Sequence, residues 1–214
     1  MIYLVTGGSG SGKSAYAEEL VMQSGNEKRY YIATMEVFGE EGKKKVERHR
    51  KLREGKGMIT IERPLNLSSL VLEEWEGEVD GKVTVLLECM TNLLANELFS
   101  REAVQVGESC FWENKSSQEN ESLREAASSQ VNTCESFIMY RARVAAERIK
   151  EGIRRLEEQC GLLVVVSGEV FSDGIDYGEE TNAYIELMGE MNCWLAERAE
   201  RAVEVVYGIG CVLK

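Results

Sequence analysis

Residues 2–14 read IYLVT-GGSGSGK-S, and this stretch decides the fold. Ile2–Thr6 is a run of β-branched and large apolar side chains, the mark of a buried strand. Gly7-Gly8-Ser9-Gly10-Ser11-Gly12-Lys13-Ser14 follows at once and fits G-x-x-x-x-G-K-[ST] without a mismatch. Ser14–Ser24 then carries Ala17, Leu20 and Val21 at helical spacing. Strand, glycine-rich loop and helix in that order are the context in which such a loop binds phosphate. The glycines let successive backbone N–H groups converge on one anion. The helix adds the positive end of its dipole. Lys13 is expected to reach the β- and γ-phosphates of a nucleoside triphosphate, and Ser14 to ligate Mg²⁺.

Outward from the loop, short apolar runs alternate with longer amphipathic stretches. Strands are expected at Tyr30–Thr34, Met58–Glu62, Val83–Leu87 and Leu162–Ser167, with terminal strands at Ala202–Tyr207 and Cys211–Lys214. Helices are expected at Glu40–Glu54, Leu65–Trp75, Thr91–Phe99, Phe137–Cys160 and Thr181–Arg201. Continuous apolar strands alternating with helices predict an α/β fold of three layers, P-loop NTPase-like, around a mostly parallel sheet. The length of 214 residues suits a single nucleotide-binding domain over 1–214. One stretch, Gly107–Glu135, is rich in Ser, Asn, Gln and Glu. It reads as a polar surface insertion; a substrate lid is the other reading, to which Cys110, Phe111 and Trp112 give some apolar anchoring.

Composition removes several classes. The 25 basic and 37 acidic side chains leave a formal net charge of -12. That argues against nucleic acid and against an anionic membrane surface as partners. No stretch approaches the roughly 18 apolar residues of a membrane span. The six cysteines contain no C-x-x-C pair, and a chain of this length builds its own core, so reduced thiols in the cytoplasm are expected. The N-terminal apolar run is too short for a signal-peptide core and has no basic leader. There is one histidine, His49, which excludes relays or metal sites that need two.

A phosphate-loop enzyme needs an acidic group near its magnesium. Glu88 follows the largely apolar run Val83–Leu87 and so belongs at the C-terminal edge of a parallel strand, where ligands bind in open α/β sheets. It is the candidate ligand of magnesium or of a magnesium-bound water. His49 stands among Lys43, Lys44, Lys45, Arg48, Arg50, Lys51 and Arg53, the one dense basic run of an acidic chain. Such a run can hold a triphosphate and offset charge on departing pyrophosphate, and it favours a neutral, nucleophilic imidazole.

Taken together, GGSGSGKS at 7–14, YIAT at 31–34, RHR around His49, LLECMTNLLAN at 86–96 and Gly208-Ile209-Gly210 resemble the bifunctional adenosylcobinamide kinase / adenosylcobinamide-phosphate guanylyltransferase family. The resemblance covers most of the chain in order, apart from the insertion. It implies phosphorylation of the aminopropanol hydroxyl of the corrinoid adenosylcobinamide by a nucleoside triphosphate, ATP or GTP. Transfer of GMP from GTP to that phosphate would follow, with the guanylyl group carried on His49. It also implies that Ala33, Thr34 and Met35 line the nucleotide pocket, that Arg50 and Arg53 contact phosphate, and that Glu62 holds ribose or base. A trimer is the implied assembly. The sequence departs from the family's pattern at Gly10, where an arginine is usual, at Gly168, where asparagine is usual, and at Tyr177, where proline is usual. The C-terminal half is the divergent half. A kinase keeping one activity, and a nucleotide-binding regulator without turnover, are the competing readings. Retention of Lys13, Ser14, Glu88 and His49 together speaks against the regulator.

Overall fold

The computed structural model describes residues 1–36, 39, 47, 55–73, 81–100, 137–170 and 174–214. In chain order the elements are β1 (Ile2–Thr6), α1 (Lys13–Gln23), β2 (Lys28–Ala33), β3 (Ile59–Glu62), a 3-10 turn (Leu67–Ser69), β4 (Val83–Glu88), α2 (Met90–Phe99), α3 (Phe137–Gln159), β5 (Leu162–Val166), α4 (Glu179–Arg198), β6 (Arg201–Val206) and β7 (Ile209–Val212). The strands form one sheet in the order β3-β2-β4-β5-β1-β6-β7. All neighbours run parallel except β6 and β7, which form an antiparallel hairpin.

The apolar runs are continuous because both faces of the sheet are covered. Side chains alternate between the faces, so each run divides between two cores. Leu163 and Val165 join Val85 and Leu87 under α2, α3 and α4. Leu162, Val164 and Val166 join Leu86 and Val203 against Ala17 and Val21 of α1. All five residues of β5 are buried, as befits a strand inside the sheet, whereas the edge strands β3 and β7 are largely exposed. The predicted α/β architecture with a mostly parallel sheet is the one observed.

One expected helix is absent. Leu65–Trp75 shows only the 3-10 turn, with Leu70 extended, 70–72 in no regular element and 74–75 outside the described residues. The competitor is a side chain: Gln159 at the end of α3 accepts from Leu72 N at 2.7 Å and donates to Leu70 O at 3.1 Å. These bonds satisfy the backbone without a helix, while Leu67, Leu70 and Leu72 still reach the core. The expected helix Glu40–Glu54 and the insertion at 107–135 lie outside the described residues. Among the described residues, no helix is long and apolar enough to cross a membrane.

Candidate active site

Every parallel strand ends on the same edge of the sheet, and the site is built there. β1 runs into the glycine loop, whose last glycine caps α1. Gly12 takes φ 93, in the left-handed region. A side chain at Gly12 would also press on Gly208, whose Cα stands 3.1 Å from where a Cβ would be. At Gly7 a Cβ would lie 2.5 Å from Val205 O. Glycine is thus required at both ends of the loop, by torsion and by room. The loop is closed by Ser11 N donating to Gly8 O at 3.2 Å, and Lys13 Nζ folds back to the same oxygen at 3.0 Å.

β4 delivers Glu88 to the loop from the far side of β5. Ser14 Oγ donates to Glu88 Oε1 at 2.7 Å. The first turn of α1 and the end of β4 therefore bring a hydroxyl and a carboxylate to one point. The Glu88–Cys89 peptide is cis, and α2 begins directly after it.

A cavity of about 490 Å³ opens at this point. Ser9, Gly10, Lys13 and Ser14 form its floor beside Glu88 and Cys89; Tyr31, Ala33 and Met35 come from β2 and its end, Thr60 and Glu62 from β3. Thr91 and Asn92 enter from α2, Gly168, Glu169 and Val170 from the end of β5, and Tyr184 from α4. Thr34 does not line it. Its side chain is buried, donating to Cys89 O at 2.8 Å and accepting from Cys89 N at 2.7 Å, and so it locks β2 to the turn after Glu88. Asn96 adds a second tie, donating to Thr34 O at 2.7 Å and Pro64 O at 3.1 Å. His49, Arg50 and Arg53 lie outside the described residues.

Two groups of the cavity lining, Cys89 and Tyr184, are held in their neutral forms. Burial, and then the neighbouring Glu88, pushes the Cys89 thiol up, so Cys89 is no thiolate nucleophile at neutral pH. Burial, and then Cys89, pushes the Tyr184 phenol up to about 12. Tyr184 OH donates to Thr91 O at 3.2 Å, fixing α4 against α2. Among the described residues no group of three or more His, Cys, Asp or Glu could hold a metal. A cation here would have Ser14 and Glu88 as hard oxygen donors, the set that suits an ion completed by water and phosphate.

Sequence reasoning gave no site role to Tyr31, Thr60, Thr91, Asn92 and Tyr184. Thr91 and Asn92 had a usable signal, the first helical turn after a strand-end carboxylate. Tyr184 had none, because it arrives from an element far along the chain.

A glycine-rich loop between β1 and α1, with its lysine and its serine–carboxylate pair at the C-terminal edge of a parallel sheet, defines a P-loop nucleotide-binding protein. The chain belongs to the cobinamide kinase / cobinamide phosphate guanyltransferase family, whose sequence model matches residues 3–213. It is similar to the bifunctional adenosylcobalamin biosynthesis protein CobU of Escherichia coli (strain K12), 37% identical over 99 residues. That match covers 46% of this chain and 51% of the relative, so it spans about half of the relative's length. It is also similar to the bifunctional adenosylcobalamin biosynthesis protein CobP of Pseudomonas aeruginosa, 28% identical over 211 residues, covering 99% of this chain and 96% of that one. Among solved structures, an ATPase from the type III secretion system of pathogenic bacteria is similar at TM-score 0.49 and 11% identity, over 99% of this chain and 56% of that one. The assignment rests on the sequence family and not on that likeness.

Proposed function

We propose that the chain phosphorylates adenosylcobinamide from a nucleoside triphosphate and then transfers GMP from GTP to the product, as a transferase of cobalamin biosynthesis. The observation that carries the reading is the Ser14–Glu88 pair, 2.7 Å apart beside Lys13 on the floor of a 490 Å³ cavity. The glycine loop holds the β- and γ-phosphates, and Lys13 turns from Gly8 O to neutralise them. Ser14 and Glu88 would hold Mg²⁺, which supplies charge neutralisation on the phosphates. The acceptor hydroxyl enters from the cavity and its oxygen attacks the γ-phosphorus. The bond from that phosphorus to the β–γ bridging oxygen breaks, the nucleoside diphosphate leaves, and the hydroxyl proton passes to solvent.

In the second step a nitrogen of His49 attacks the α-phosphorus of GTP and pyrophosphate leaves. An oxygen of the corrinoid phosphate then displaces the imidazole, breaking the P–N bond and giving adenosylcobinamide-GDP. Arg50 and Arg53 hold phosphate during this step, while Ala33, Met35 and Glu62 contact the nucleotide. The enzyme is a single domain over 1–214 with a polar insertion at 107–135, and it works as a homotrimer in the cytoplasm.

Incubation with labelled GTP tests the transferase claim. A covalent, acid-labile guanylyl adduct is expected in wild type and not in His49→Ala; equal labelling of both proteins rejects His49. Phosphate transfer to adenosylcobinamide tests the kinase claim, and equal rates in wild type and Lys13→Ala reject the role of Lys13. A protein that phosphorylates but forms no adduct is a kinase alone. Sedimentation equilibrium at the monomer mass rejects the trimer.

A further inference from the structure

The phosphate loop has two flanks. One is the cavity with Glu88. The other, on the opposite side of β1, is the turn of the β6–β7 hairpin. Val206 pairs with Ile209, so the turn is the two residues Tyr207 and Gly208. Gly208 N donates to Ser11 O at 2.7 Å, and Gly208 packs close on Gly12, its Cα only 3.1 Å from where a Gly12 Cβ would stand. The turn is thus a lip of the phosphate loop itself.

Tyr207 is an unexpected residue there. Both turn residues have positive φ, 52 for Tyr207 and 80 for Gly208. Two-residue hairpin turns of that kind favour Asn, Asp or Gly at the first position, since a bulky side chain at positive φ is disfavoured. The ring gains nothing from packing in return, because Tyr207 is 94% exposed. A cost in backbone energy with no gain in burial points to a role outside the fold.

The geometry of the reaction supplies the role. This inference rests on the kinase reading above. If the acceptor hydroxyl comes from the cavity, the γ-phosphate must face Glu88 and the cavity. The nucleoside of the donor would then leave the loop over the opposite flank, where the Tyr207-Gly208 turn lies against Ser11 and Gly12. We propose that the Tyr207 ring is the stacking platform for the purine base of the phosphate-donor nucleotide. An aromatic face stacks on any purine, which suits a donor site that accepts adenine or guanine.

The probes are ATP and inorganic tripolyphosphate, with binding measured by calorimetry on the whole 214-residue chain. Wild type is expected to bind ATP more tightly than tripolyphosphate. Tyr207→Asn keeps the turn, since asparagine tolerates positive φ, but removes the ring. It should weaken ATP binding about tenfold, the loss typical of one stacked base, and leave tripolyphosphate binding and thermal stability undiminished. Tyr207→Phe should restore ATP affinity. Tyr207→Trp should show emission quenched by ATP and not by tripolyphosphate. Unchanged ATP affinity in Tyr207→Asn overturns the platform while leaving the phosphate loop intact. A change of oligomeric mass with ATP affinity unchanged also overturns it, in favour of a contact with a second copy. If wild type binds neither probe, the phosphate-loop reading falls, and this inference with it.

Discussion

Ser14 and Glu88 meet at 2.7 Å although 74 residues separate them, and the sequence anticipated both by different routes. Ser14 came from a motif with a rigid local geometry. Glu88 came from a rule about where parallel strands end. The prediction at this scale is that Glu88→Gln, which keeps size and can still accept from Ser14, lowers phosphoryl transfer about 10²-fold or more. Tripolyphosphate binding without divalent cation should be unchanged; initial rates and calorimetry check the two halves. A second prediction concerns Cys160, which is buried and donates to Leu156 O at 3.0 Å. Burial pushes its thiol from 9.0 up to about 12. The unfolded chain therefore releases that proton near pH 9 while the folded protein holds it. The stabilisation is complete below pH 9 and is lost as the pH climbs toward 12. Denaturant midpoints measured across this window should fall less steeply in Cys160→Ala than in wild type. Some decline remains in the variant, because Tyr184 and Cys89 also lose protons in the unfolded chain first.

At the scale of elements, periodicity located the strands well, since a parallel strand covered on both faces needs an unbroken apolar run. It failed at Leu65–Trp75, where Gln159 from the end of α3 provides the hydrogen bonds that a helix would have provided for itself. No local pattern can announce a partner that far away. α3 carries a further test at Gly152. A Cβ there would lie 2.8 Å from Leu67 Cβ and 3.0 Å from its carbonyl carbon. Alanine is the better helix former by up to about 1 kcal/mol. Overpacking against the backbone of a fixed turn costs about 1–3 kcal/mol. The second term wins, so Gly152→Ala should lower stability, read as a shift in the denaturant midpoint.

At the scale of the whole molecule, a ligand that binds only the folded state must stabilise it. Mg²⁺ and ATP at 100 times the dissociation constant should add about 2.7 kcal/mol, seen as a rise in Tm, and Lys13→Ala should abolish the rise. What the sequence by itself determined is the class of fold, the phosphate loop and the family. Those depend on short-range requirements: glycines where the backbone must curl and approach closely, a lysine and serine at a helix start, and apolar runs for doubly covered strands. Only the tertiary structure decided the cavity and its opposite lip. It turned Thr34 into the core to clamp Cys89, brought Tyr184 from α4, and set Gly208 of the hairpin turn against Ser11. The physical reason is that sheet order, not chain order, chooses a site's neighbours. β1 sits between β5 and β6, so the loop of residues 7–14 is walled by residues from the far end of the chain.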